Sequence, residues 1–344
     1  NPNELEFVAE RNRLLENAPA VSVVVCTRDR PRQVAECVRQ LDDQDYPNYE
    51  IIVVDNAPAD AHAVPSELAK LELSVPVRYL VEPRAGTSRA RNTGTRAAAS
   101  EIIAFVDDDV VADPHWLAEL LRGFSVRPHV GCVTGAVLPA ELRTRPQLWF
   151  EEFGGFAKGR GYRQEVFGPG HPQSPLYPLP PFGAGANMAF RRDVLIDIGG
   201  FDVALGGGTP AKGSEDTYAF SRTLLAQHTL VYQPTALVWH FHRDTFSGLK
   251  NQLRGYGTAT SAFYAALILH DPKLLIPLTR FIPAGIRDLR GKDSLRTASM
   301  RTFPTSILRA ESRGLLLGFL TYVSTVITNK IGDPARAPWH WRRQ

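Results

Sequence analysis

Cysteine is scarce in this sequence. Cys26, Cys37 and Cys132 are the only three in 344 residues. An odd, widely spaced trio forms neither a disulfide framework nor a zinc site, and reads as reduced thiols of a cytosolic protein. Long apolar runs are also missing. No stretch reaches the roughly 20 residues that a bilayer-spanning helix needs. Internal repeats are absent. The first apolar run is followed by "CTRDRP", which contains no glycine. That disfavours a dinucleotide fold or a nucleotidyltransferase, both of which close a glycine-rich loop on phosphate there. The chain opens on Asn1 and not Met, which points to a trimmed natural start.

A strong overall charge is missing too: the net is +3. The balance is uneven, however. Residues 271–344 hold 13 Lys/Arg against 5 Asp/Glu, so the remainder carries a net of −5. The basic end suits a membrane surface, a phosphate-bearing substrate or simple solvation. No nucleic-acid partner is expected.

Against this background one stretch stands out. In "IIAFVDDDVVADP" an apolar run leads directly into Asp107, Asp108 and Asp109, and apolar residues then resume. Single aspartates at strand ends cap turns. Three in a row repel each other, and their flanks draw them toward low dielectric. A hard divalent cation with oxygen ligands relieves both problems.

The rest of the chain supplies a frame. "VSVVVCT", "YEIIVVDN", "VRYLVEP", "EIIAFVDDD" and "VGCVTGAVL" are short apolar, β-branched runs, predicted as buried strands. "PRQVAECVRQL", "TSRARNTGTRAAAS" and "PHWLAELLRGF" alternate with them and are predicted as helices. This order implies a mostly parallel α/β sheet, in which ligands bind beyond the carboxyl ends of the strands. Thr27–Arg30, Asp55–Asn56, Pro83–Gly86 and Asp107–Asp109 all fall at such ends. From Pro139 to Pro181 periodicity fades into Pro, Gly and aromatics. "ANMAFRRDVL" restores a strand and a helix, and Ser214 is placed to cap a helix that opens on Glu215 and Asp216. "TLVYQPTALVWHFH" reads as two short strands ending at His240 and His242.

The motifs "VVVCTRDRP", "IIVVDN", "GTSRARNTG", "FVDDDV", "GANMAFRRDVL", "GGFD", "GSEDTYAFSR" and "LVWHFH", in that order, resemble the inverting family 2 glycosyltransferases of GT-A fold. The likeness covers about residues 20–265. It implies an N-terminal extension over 1–19 and a catalytic domain over 20–265. That domain would have a nucleotide-binding half (20–138) and an acceptor half (139–265). A basic, mainly helical extension over 266–344 would follow. It also implies an enzyme that moves a sugar from a nucleotide-diphosphate donor to a hydroxyl, with Mg2+ or Mn2+.

Carried onto this sequence, the resemblance puts Asp55 at a uracil ring, with Thr27, Arg28 and Arg30 on the same side of the pocket. It favours a UDP-sugar over dTDP- or GDP-sugars. Arg91 would face the diphosphate, Asp108 the ribose and metal, and Asn187 a sugar hydroxyl, with Gly86 and Asp107 also among the donor-binding residues. Asp109 and Asp107 would hold the metal with His240, His242 being the alternative. Asp216 would be the general base and Glu215 the lesser candidate. Trp149, Phe150 and Trp239 are candidates for sugar stacking or for core. The acceptor is open: lipid-linked, a polysaccharide or a natural product. For the apolar stretch from Leu315 to Ile327, membrane-surface contact at the inner face, packing onto the domain and a homodimer contact all remain open. A non-catalytic nucleotide-sugar-binding module is the rival from another class.

Overall fold

A computed structural model describes residues 2–157, 160–177, 182–285 and 303–332. The predicted basic extension therefore lies partly outside the described residues. The centre is one nine-stranded sheet. Its first half runs β3 (Val77–Glu82), β2 (Tyr49–Asn56), β1 (Val21–Thr27), β4 (Ile102–Asp107), all parallel. Here α2 (Pro31–Leu41), α3 (Ala63–Leu68) and α4 (Thr87–Ala97) make the crossovers. Val21, Val23, Val24, Val25, Ile51, Ile52, Val53 and Val54 have no exposed surface. β1 and β2 are thus buried on both faces, which explains why they read as continuous apolar runs and not as alternation.

The second half is mixed. β8 (Asn187–Arg191) runs antiparallel to both β4 and β6 (Val130–Pro139). β9 (Thr229–His240) runs parallel to β6, and β5 (Val110–Ala112) pairs antiparallel with the end of β9. β7 (Glu165–Phe167) also pairs with β9. The expected pair of short strands at 229–242 is one strand. Its register against β6 shifts where Gly135 faces Gln233 and Ala136 faces Leu237. Pro234 lies in that gap, and an irregular stretch is where a strand tolerates proline.

Several helices complete the layers. α1 (Pro2–Glu16) lies over α5 (Trp116–Ser125), with Leu14 and Leu15 packed on the main core. α6 (Arg145–Glu152) forms inside the stretch where periodicity fades, opened by a Thr144–Gln147 capping box. α7 (Arg192–Asp197) and α8 (Glu215–Leu225) follow β8. Ser214 precedes α8 with φ 65° and makes no side-chain cap bond. The expected cap is therefore absent: a left-handed backbone there turns the hydroxyl away from the helix amides. α9 (Phe246–His270), the short α10 (Leu275–Thr279) and α11 (Thr305–Gly332) form a helical layer beside α8.

Candidate functional site

Three side-chain clusters gather at the carboxyl ends of β1, β2 and β4. The first shows how the three aspartates divide. Asp107 closes β4, a turn holds Asp108 and Asp109, and β5 starts at Val110. Asp108 turns toward β1. It accepts from Thr27 Oγ1 at 2.6 Å and from Arg30 at 2.9 Å, so both its oxygens are used within the protein. Burial pushes its pKa up to about 6, against the pull of Thr27 and Arg30.

Asp107 and Asp109 instead group with His240. One ligand atom from each lies within 4.8 Å of the others. The strand pairing explains the meeting. β5 sets Val110 opposite His240, and the Phe241 amide donates to the Asp109 carbonyl at 3.2 Å. His240 Nε2 then stands 3.2 Å from Asp109 Oδ1. Burial raises the Asp107 carboxyl, with Arg91 opposing and Asp109 adding. Burial also pushes on Asp109, but His240, Arg30 and Arg243 outweigh it and hold that carboxyl below its ordinary value. His240 Nδ1 is buried without a partner, so Nε2 is the nitrogen presented to the carboxylates. Two carboxylates and an imidazole fit a divalent cation of the Mg2+ or Mn2+ type, the imidazole leaning toward Mn2+. His242 does not compete, because its Nε2 is bonded to Glu151 at 2.8 Å.

The second cluster surrounds Arg91 in α4. Its guanidinium donates to Glu215 at 2.8 Å, Asp107 at 3.1 Å and the Gly185 carbonyl at 3.0 Å. Only 3% of Arg91 is exposed. Three of its five N–H groups are thus bonded inside the fold, which counts against the expected diphosphate contact. Burial pushes Glu215 up to about 7, with Arg91 opposing and Asp216 adding. Asp216 is less buried than Glu215. One of its oxygens accepts from the Gly185 amide at 2.7 Å and the other from the Thr217 amide at 2.6 Å.

The third cluster is at the end of β2. Asp55 Oδ2 accepts from Tyr79 at 3.0 Å, while its buried Oδ1 has no partner. Burial raises the Asp55 carboxyl, the Tyr79 bond opposes, and Asp29 adds repulsion. Asn56 ties the next loop by accepting from the Gly86 amide at 2.7 Å. Gly86 has φ 138°, a conformation open to glycine. Arg28 is half-exposed beside Asp29, and a side chain on Gly208 would come within 3.7 Å of it.

Asn187 is a second correction. It has no exposed surface, accepts from Trp116 at 2.8 Å and donates to the Ala136 and Ala236 carbonyls. Its amide braces β8 between β6 and β9 and offers nothing to a sugar hydroxyl. Phe150 is 1% exposed and belongs to the core. Trp149 packs edge-on to Phe246, and Trp239 is half-buried in β9. Tyr79, Gly185 and Thr217 complete the site without a sequence signal beyond their motif neighbours.

Two carboxylates and an imidazole that could hold a cation thus stand at a strand end, beside the buried Asp55 and the oriented Asp216. The glycosyl transferase family 2 model matches residues 22–199, and the chain belongs to this family, whose members are inverting glycosyltransferases. A glucosyl-dolichyl phosphate glucuronosyltransferase of Haloferax volcanii is 28% identical over 193 residues, 54% of this chain and 57% of that protein. A pre-mycofactocin glycosyltransferase of Mycobacterium tuberculosis is 31% identical over 197 residues, 56% of this chain and 37% of that protein. The chain thus spans less than two thirds of either relative's length. The fold resembles the mannosyltransferase PcManGT of Pyrobaculum calidifontis, solved with GDP-Man and Mn2+. The TM-score is 0.55 at 18% identity, covering 97% of this chain and 89% of that one. S. aureus TarS 1–349 gives 0.50 at 15% identity, covering 94% and 93%. At these identities the two structures speak for the fold alone.

The Arg91 cluster yields a pH test. A carboxyl whose pKa rises on folding favours the fold while protonated. For Glu215 that contribution is present below about pH 4.5 and lost as pH climbs toward about 7. Arg91 limits the loss. Arg91→Met should therefore cost least near pH 5, where the lost Gly185 bond remains, and about 3–5 kcal/mol above pH 7, the scale of breaking a buried pair. Thermal melts should show the gap between variant and wild type widening with pH. A gap constant from pH 5 to 8 would refute the assignment.

Proposed function

We propose that the chain transfers a glycosyl group from a nucleotide-diphosphate sugar to an acceptor hydroxyl, inverting the anomeric centre. The observation that carries this reading is the placement of Asp216. It is held by two backbone amides at the start of α8, and Arg91 links its neighbour Glu215 to the Asp107 end of the cation set. Asp216 takes the acceptor proton as that oxygen bonds to the anomeric carbon, and the bond to the nucleotide diphosphate breaks. Glu215 suits this role less, being ion-paired and more buried. Asp107, Asp109 and His240 would hold Mg2+ or Mn2+, which when bound offsets the charge of the leaving diphosphate. With Asp216 as the single base, the transfer is one displacement.

A UDP-sugar is the preferred donor. The unpartnered Oδ1 of Asp55 supports it, because a carboxylate can accept the N3–H of uracil. The Haloferax relative is named for a dolichyl phosphate-linked substrate, which supports a lipid-linked acceptor here by analogy.

Asp216→Asn keeps size and removes basicity. It should bind donor like wild type and lose a factor on the order of 10²–10⁴ in turnover, the usual scale of general-base catalysis. Glu215→Gln should lose less. Unchanged turnover in Asp216→Asn, or a product that keeps the donor's anomeric configuration by NMR, would defeat the mechanism. Binding without any turnover across a nucleotide-sugar screen would favour the non-catalytic module. For the base, calorimetry with Mn2+ should show UDP binding more tightly than GDP, with the preference weakened in Asp55→Ala. Tighter GDP binding would rule out the uracil contact.

A further inference from the structure

The helical layer beyond the site has an outer face that the reaction does not use. α11 meets α9 through glycines. A Cβ on Gly314 would lie 2.2 Å from the Arg254 carbonyl, and one on Gly318 would lie 2.0 Å from the Thr258 carbonyl. The two backbones therefore touch, as small residues allow. With glycine on the inner side, several large apolar residues of α11 face outward. Leu316 is 80% exposed, Leu320 66% and Ile327 52%.

These residues lie along one line. Positions 309, 313, 316, 320 and 327 repeat at helical spacing, so Arg309 and Arg313 precede the leucines on the same face. Both arginines are exposed. The only acidic residue in α11, Glu311, is buried. Elsewhere in the layer, α10 joins the cluster containing the buried Tyr322 through Leu278, and leaves Ile276 75% exposed. Nine of the sixteen exposed large apolar side chains among the described residues fall between Leu269 and Ile327. A water-facing helix would carry polar residues there.

We infer that this face of α11 seats the protein on an anionic lipid surface. No helix among the described residues is long and apolar enough to cross a bilayer, so α11 lies along the interface. Its leucines enter the acyl boundary, and Arg309 and Arg313 meet lipid phosphates. Charge decides between a membrane and a second copy of the chain. A symmetric pair would bring two arginine-bearing faces together with no exposed carboxylate on α11 to answer them, whereas an anionic bilayer supplies that charge. The inference does not depend on the reaction proposed above, because lipid binding is measured without turnover. It does place the acceptor side near the membrane, since α9 packs on both α11 and α8.

The test is sedimentation of the full chain with sucrose-loaded vesicles, of phosphatidylcholine alone or with phosphatidylglycerol. Binding is expected to the anionic vesicles, weaker binding to the neutral ones, and a decline with added salt. The double variant Leu316→Gln/Leu320→Gln should lose on the order of tenfold in partitioning. Its circular dichroism and thermal melt should match wild type. Arg309→Gln/Arg313→Gln, which removes no apolar contact, should flatten the salt dependence. Failure of the wild-type chain to bind anionic vesicles would overturn the inference. So would binding by both double variants as strong and as salt-dependent as that of wild type. A wild-type dimer in solution that ignores vesicles, and dissociates in Leu316→Gln/Leu320→Gln, would assign the stripe to a second copy instead.

Discussion

The site depends on one buried guanidinium. Arg91 bonds Asp107 with one nitrogen and Glu215 with another, and the first also holds the Gly185 carbonyl. Without it, two desolvated carboxyls from distant parts of the chain would face each other unanswered. With it, the end of β4, the start of α8 and the loop before β8 keep fixed spacing. Asp216 inherits its position from this arrangement, because the Gly185 amide that holds it belongs to the residue whose carbonyl Arg91 binds. The Asp107 end of the candidate cation set and the start of α8 are thus joined by one side chain.

A second constraint acts from the other edge. β5 is three residues long, yet its pairing with β9 brings His240 to Asp109. The turn between β4 and β5 also separates the three aspartates. Asp108 braces Thr27 and Arg30 at the end of β1, while Asp107 and Asp109 group with His240. In Asp55 one oxygen is held by Tyr79 while the other has no partner.

Much of this is legible in the sequence, for identifiable reasons. β1, β2 and β4 are buried on both faces, so they stand out as β-branched runs, and parallel order places their polar ends together. Asp107, Asp109 and His240 are legible from the motif order of family 2. Other features are not. β5 and β7 are too short for any period. α6 sits in a stretch rich in proline and glycine, where its capping box is the one local signal. β9 looks like two strands because Pro234 marks a shift in register, not an end. Arg91 and Asn187 sit in ligand motifs, but their side-chain partners lie 16 to 124 positions away, and no local pattern reveals the bonds they make inside the fold. The Ser214 cap fails for a similar reason, since a left-handed backbone cannot be read from residue type.

The central claim is that Asp107, Asp109 and His240 form a cation site that also carries the nucleotide diphosphate. Pulsed EPR of the Mn2+-loaded protein with UDP tests it directly. The account predicts a nitrogen coupling from an imidazole, lost in His240→Gln, together with phosphorus coupling from the nucleotide. Mn2+ bound with phosphorus coupling but no nitrogen coupling, or with a nitrogen coupling that survives His240→Gln, would contradict it.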